Sequence, residues 1–189
     1  MSKYKVLALF GKSGAGKDTI KKRMCYNHSE IKEIISCTTR SPRAYERDGI
    51  DYYFLYRDDF ERRVRNKDII DAVYFKKWLY GTSIQELDKD KINIGVFSIS
   101  GIRQLLKDER IEVLPVLIEA PGKERLKRAL RREHNPDCRE ICRRFLADER
   151  DFSDINFEYI TFYNESDYAP SMFDSFEPIA DYESAALTD

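Results

Sequence analysis

The stretch LFGKSGAGKDTI, Leu9 to Ile20, constrains this chain more than any other. It follows a short apolar run, KYKVLALF (Lys3 to Phe10), that ends in glycine and reads as a buried strand. It opens a segment, Lys17 to Tyr26, that reads as a helix. Gly11, Gly16 and Lys17 fit the pattern G-x-x-x-x-G-K, and strand–loop–helix is the context in which that pattern carries meaning. Glycine lets the backbone curl so that successive N–H groups point inward at phosphate oxygens. The helix that follows aims its positive end at the same place. Lys17 then supplies a full charge for the β- and γ-phosphates of a nucleotide. The residues expected to hold that nucleotide are Gly11, Lys12, Ser13, Gly14, Ala15, Gly16, Lys17, Asp18 and Thr19, and Lys17 is also expected to act in catalysis.

Asp18 stands where such loops carry Ser or Thr. A carboxylate is a hard oxygen ligand and can hold Mg²⁺ directly or through water. It can equally be an acidic first-turn residue that stabilises the helix start. The water-mediated metal role is the one expected here, with ATP and Mg²⁺ as the implied ligands.

Downstream of the loop the pattern changes. From Ile34 to Tyr80 the chain is rich in Tyr and Phe and holds short strand-like runs, EIISCTT, DYYFLY and IIDAVYF, with one helical pattern, RDDFERRVRN, among them. This reads as an inserted subdomain. An α/β rhythm then resumes: INIGVFSI, GIRQLLKDE, IEVLPVLIEA, KERLKRALRRE and finally FEYITFY (Phe157 to Tyr163). Strands alternating with helices predict a parallel sheet with right-handed crossovers. The helices between Lys123 and Arg150 are crowded with Arg on both sides of the turn HNPD, which suggests an anion-facing lid, whereas no Lys or Arg follows Arg150.

The 189 residues, 42% hydrophobic and 35% charged, suit a single domain with a real core. A formal net charge of −1 predicts binding to neither nucleic acid nor membrane. No apolar run approaches the roughly 20 residues of a spanning helix. The N-terminal run lacks a cleavage pattern, so a cytoplasmic protein is expected. Four cysteines suggest reduced thiols rather than a disulfide framework. His134, Cys138 and Cys142 are spaced by four, but Pro136 interrupts the helix and only three ligands are present. Inert thiols in a packed lid are the better expectation.

The segment SCTTRSPRAYERDGIDYYF, Ser36 to Phe54, followed by IIDAVYFKKWLYGTS, resembles the guanylate kinases. That family shows a Ser-x-T-T-R-x-P-R-x-x-E-x-x-G-x-D-Y-x-F segment, then an acid, then Y-G-[ST]. The resemblance covers most of residues 4 to 165. It implies an α/β, three-layer P-loop kinase with a parallel sheet core (1–33, 91–131 and 146–189), an inserted nucleoside-monophosphate-binding subdomain (34–90) and a helical Arg-rich lid (132–145). Arg40, Arg43, Tyr52 and Tyr80 would hold the acceptor monophosphate, and Ser36, Asp71 and Thr82 would face guanine. The lid arginines would be Arg128, Arg132 and Arg144, acting with Lys17 on the phosphoryl in flight, and Asn164 would lie near adenine. The implied activity is ATP-dependent phosphoryl transfer to GMP or dGMP, with small-molecule nucleotides as the partners. The alternatives are a kinase for another nucleoside monophosphate and a non-catalytic guanylate-kinase-like binding module. The chain departs from the pattern in carrying Asp71 for the family's Glu, and Ser98 and Ser100 in FSISGI where the family has D-I-D.

Overall fold

β1 (Tyr4–Phe10) is the middle strand of the main sheet. Every residue from Val6 to Phe10 is fully buried, so both faces of the strand must be covered. A computed structural model of the chain describes residues 2–132 and 135–164 and shows how that is done. β2 (Ile31–Glu33), β7 (Ile92–Val96), β1, β8 (Ile111–Glu119) and β9 (Ile160–Tyr163) lie side by side in that order, and every pairing is parallel.

One face packs against α1 (Lys17–Asn27), whose Ile20 and Met24 meet Leu7, Leu9 and Ile94. The other packs against α3 (Ile99–Leu105), whose Ile99, Ile102 and Leu105 meet Val6, Ala8 and Phe10. The same side takes up the chain that follows α5 (Cys138–Asp151). Phe10 stacks on Phe152 with ring centroids 6.1 Å apart and meets Tyr159 edge-on at 5.6 Å. This aromatic cluster holds the C-terminal end of α5 beside the end of β1, where the glycine loop begins.

The insert forms a second sheet, ordered β4 (Tyr53–Phe54), β3 (Cys37–Thr38), β6 (Trp78–Gly81), β5 (Val73–Phe75). It has its own small core of Cys37, Phe60 and Ile69 under α2 (Arg57–Arg65). Two elements differ from the sequence reading. EIISCTT is not one strand: Glu33 ends β2 in the main sheet, and the chain crosses to the second sheet before Cys37. Trp78–Gly81, read only as part of a motif, is the central β6. It is reached through a two-residue turn in which Lys76 adopts φ 58, a conformation that sequence pattern does not announce for lysine.

The Arg-rich region divides into α4 (Gly122–Arg131) and α5, with Asp137 capping α5 by accepting from the Arg139 and Glu140 N–H groups. Cys138 and Cys142 are exposed thiols. His134 lies outside the described residues, as does the 165–189 segment assigned to the core from sequence. Among the described residues no group of metal-ligating side chains forms, and no helix is long and apolar enough to cross a membrane.

Phe60 is fully buried in a core of only three buried residues. Phe60→Ala should cost about 3–5 kcal/mol. Amide exchange should show lost protection in β3 and β6 while β1 and β8 stay protected; uniform loss through both sheets would mean that the insert has no local core of its own.

Candidate active site

The glycine loop sits at the C-terminal ends of the parallel strands, where α/β sheets place their ligands. At its first two glycines the path leaves no room for a side chain. Gly11, at φ 148, would bring a Cβ to 2.3 Å from the Ile118 carbonyl oxygen, and Gly14, at φ 79, to 2.5 Å from that of Arg125. Gly16, at φ 98, precedes α1 directly. Lys17 folds back over the loop, donating to the Gly11 carbonyl at 2.7 Å and to that of Lys12 at 3.2 Å. Burial lowers its pKa, while the charges of Asp18 and Asp148 act the other way. Asp18 and Thr19 are exposed. The charge of Asp18 acts on both Lys17 and Tyr52, so it lies within electrostatic reach of both the loop and the insert.

Asn164 is buried behind the loop, donating its side-chain amide to the Ala15 carbonyl at 2.7 Å. Arg128 reaches the same place, 3.5 Å from the Ala15 oxygen and 3.3 Å from that of Asn164. Both contact the loop itself in this arrangement. Arg132, at the end of α4, is exposed, and its charge reaches Lys17. Arg144, on α5, points its Nε at Glu140, 3.0 Å away.

Across the cleft, Arg40 is held in a fork by Glu46, with its two terminal nitrogens 2.8 and 2.9 Å from the carboxylate oxygens. Its guanidinium lies over the Tyr52 ring at 5.4 Å. Tyr80 packs edge-on against Tyr52 at 6.2 Å. Arg43 is exposed and donates its backbone N–H to Glu46 at 2.8 Å. Glu46 thus positions both arginines, a role that sequence reasoning did not assign although the R-x-P-R-x-x-E spacing contains it. The hydrogen bond to Arg40 holds the Glu46 carboxyl below the usual range.

Asp71 and Thr82 meet in the floor of the insert, and Asp71 accepts the Thr82 N–H in a short hydrogen bond. Burial pushes Asp71 up to about 7. The Thr82 hydroxyl is buried beside it, and together with the Thr82 N–H it opposes the effect of burial on the carboxyl. Gly101 closes this pocket from the side of α3: a Cβ there would stand 3.3 Å from Asp71 Oδ2 and 3.3 Å from Ser98 Oγ. Ser98 and Ser100 pair with each other at 3.0 Å. The Ser36 carbonyl accepts from Tyr53 N–H at 2.9 Å, which anchors the edge of the same sheet.

A phosphate loop thus faces a clamp of arginines and tyrosines, with a buried carboxyl–hydroxyl pair set deeper in the insert. The guanylate kinase family model matches residues 3–175.

The chain belongs to the guanylate kinase family.

It is 35% identical over 154 residues to the guanylate kinase of Synechococcus elongatus, covering 77% of this chain and 81% of that one. It is 29% identical over 181 residues to that of Sus scrofa, covering 92% and 84%. A crystal structure of guanylate kinase from Anaplasma phagocytophilum shares the fold, with a TM-score of 0.64 at 19% identity over 100% of this chain and 89% of that one. As a family member the chain is a nucleoside monophosphate kinase with the P-loop kinase α/β fold.

Two outcomes follow from this geometry. Glu46→Gln breaks a fork of charge-assisted bonds to Arg40. It should raise KM for the acceptor nucleotide about tenfold, which is about 1.4 kcal/mol, and leave donor binding unchanged. Equal loss for both nucleotides in titrations would show that Glu46 serves the whole fold. Burial pushes the Asp71 carboxyl from the ordinary 3.8 up to about 7 in the folded chain. Between those values the unfolded chain releases its proton first, so rising pH costs stability, up to about 4 kcal/mol across the window. Asp71→Asn removes that slope and should make the protein more stable than the parent at pH 8. Urea unfolding from pH 4 to 8 measures it; parallel curves for the two proteins would refute the burial argument.

Proposed function

We propose that the chain transfers the γ-phosphoryl group of ATP to GMP or dGMP, the insert holding the acceptor and the glycine loop the donor. The supporting observation is the pair formed by Asp71 and Thr82. Guanine presents two adjacent donors, N1–H and the N2 amine, and an O6 acceptor. An ionised Asp71 can accept from the first two, and the buried Thr82 hydroxyl beside it can turn to serve the third. Arg40, Arg43, Tyr52 and Tyr80 would bind the acceptor phosphate, with Ser36 at the pocket edge. In family terms this divides the chain into a core, an insert over 34–90 and a lid over 132–145.

Phosphoryl transfer asks little covalent chemistry of the protein. It asks for two anions held in line and for neutralisation of the charge that spreads between them. Lys17 and the loop amides would orient the donor. Arg128, Arg132 and Arg144 would supply further positive charge from the α4–α5 side. Asp18 offers one hard carboxylate beside the loop, which suits Mg²⁺, an ion that keeps several waters and takes most other ligands from phosphates. When bound there, Mg²⁺ supplies charge neutralisation to the donor phosphates. Asn164 would support the donor site through Ala15 rather than by touching the phosphates.

The serines at 98 and 100 and the short side chain of Asp71 favour a second reading, a kinase with a broader choice of base. A protonated Asp71 offers a donor and an acceptor instead of two acceptors. The binding-module reading leaves Lys17 and the steric design of the glycine loop without a purpose.

Measurement of kcat/KM for GMP, dGMP, AMP and UMP between pH 6 and 8.5 decides among these. Guanine should be preferred, and KM for GMP should fall as pH rises through about 7, where Asp71 ionises. A match between AMP or UMP and GMP at pH 8 would overturn the guanine assignment. Lys17→Ala should remove turnover, and full activity in that variant would overturn the mechanism.

A further inference from the structure

Two acids of α5 reach the glycine loop from 135 or more residues away. Asp148 takes the Ser13 backbone N–H on Oδ2 at 2.7 Å and faces the Ser13 hydroxyl with Oδ1 at 3.3 Å. Glu149 pairs with Lys12 Nζ at 2.8 Å. An amide, a hydroxyl and an ammonium group of the phosphate loop are therefore turned toward carboxylates of the same chain. A carboxylate oxygen on a loop N–H makes the same charge-assisted bond that a phosphate oxygen would make. Both anions cannot have that donor together.

Arg125 stands behind the two acids. It is buried, with its guanidinium 4.7 Å from the centre of the Phe145 ring, and its nitrogens lie 3.6 Å from Asp148 and 3.5 Å from Glu149. Its NH1 is a buried donor without a hydrogen-bond partner among the described residues. Asp148 is thus placed between two donors, bonded to the Ser13 N–H and just beyond bonding distance of Arg125 NH1. A shift of less than an ångström away from the loop would give NH1 its missing partner, and a buried unpaired donor is costly enough to favour that exchange. The carboxylate has somewhere to go when an anion arrives.

We propose that Asp148 and Glu149 form a built-in anion that occupies the phosphate loop in the absence of a donor nucleotide and lowers the affinity for polyphosphate by competition. This rests on the reading of the loop as the donor site. In the free protein the pair gives the Ser13 amide and the Lys12 ammonium a partner and keeps the loop in its curled path. On binding, the loop donors pass to phosphate and the pair is retained by Arg125. The affinity for the donor is set by that exchange and not by the loop alone.

Calorimetric titration of the full chain with ATP, and separately with inorganic tripolyphosphate, tests this. Asp148→Asn leaves a neutral acceptor in place of the anion and should tighten both ligands by about tenfold, the equivalent of one charge-assisted bond. Glu149→Gln, at an exposed position, should tighten them by about threefold. Asp151→Asn, which removes from the end of the same helix an exposed charge that makes no hydrogen bond or ion pair with the loop, should change neither, separating occupancy from general repulsion. The Ser13 amide should exchange slowly in the free parent protein and fast in Asp148→Ala.

Unchanged or weaker polyphosphate binding in Glu149→Gln, or fast exchange at Ser13 in the parent, would overturn the proposal. Equal tightening in Asp151→Asn would overturn it too. If Asp148→Asn melts too low to titrate, Glu149→Gln and the exchange measurement still decide. Failure of the parent to bind either polyphosphate would instead overturn the donor-site reading.

Discussion

The glycine loop is held by steric exclusion on several sides, and the rest of the site is arranged around it. A Cβ at Gly11 would strike β8, one at Gly14 would strike the backbone of α4, and one at Gly16 would come within 2.3 Å of the Asn164 amide. All three glycines have positive φ. A loop pressed this closely keeps its N–H groups aimed without help from bulky side chains. The same packing brings α4, α5 and the end of β9 against the loop, so residues far apart in the chain, such as Arg125, Asp148 and Asn164, share one small volume.

The insert follows a different logic. Its core is small, and the polar groups that would read a base are set into that core instead of onto a surface. Asp71 is buried and held by one backbone N–H, and the cost of burying its charge appears as a raised pKa. A buried carboxylate of this kind weakens the fold that carries it once it ionises. Arg40 avoids the same cost because Glu46 and the Tyr52 ring surround it. The Arg40 guanidinium is therefore held ready-made, whereas Asp71 and Thr82 have chiefly each other.

The two faces of the cleft are also linked by charge. Glu140 on α5 accepts from Lys76 at the tip of the β5–β6 hairpin at 3.1 Å, and from Arg143 and Arg144 on its own helix. α5 therefore touches the insert near its N-terminal end and the phosphate loop toward its C-terminal end. Exposed pairs such as Lys76 with Glu140 contribute little stability, so this tie can yield readily.

Local pattern determined much of this protein. The strand before the loop, the glycines that force its curl, the helix behind it and the alternation that makes a parallel sheet were all legible, because each depends on neighbouring residues. The spacing of Arg40, Arg43, Asp71 and Thr82 was legible through a family pattern, and the structure brings those residues to one side of a cleft. β6 was missed because its turn uses a lysine in the left-handed region, and EIISCTT divides between two sheets because tertiary pairing, not propensity, decides which edge a short strand joins. The role of Glu46 needed the fork geometry. The contacts of Asp148 with Ser13 and of Asn164 with Ala15 span more than a hundred residues of chain, and no local signal marks them. Only the packing of α5 against the end of β1 and the pairing of β9 with β8 determine that those carboxylate and amide groups meet the loop.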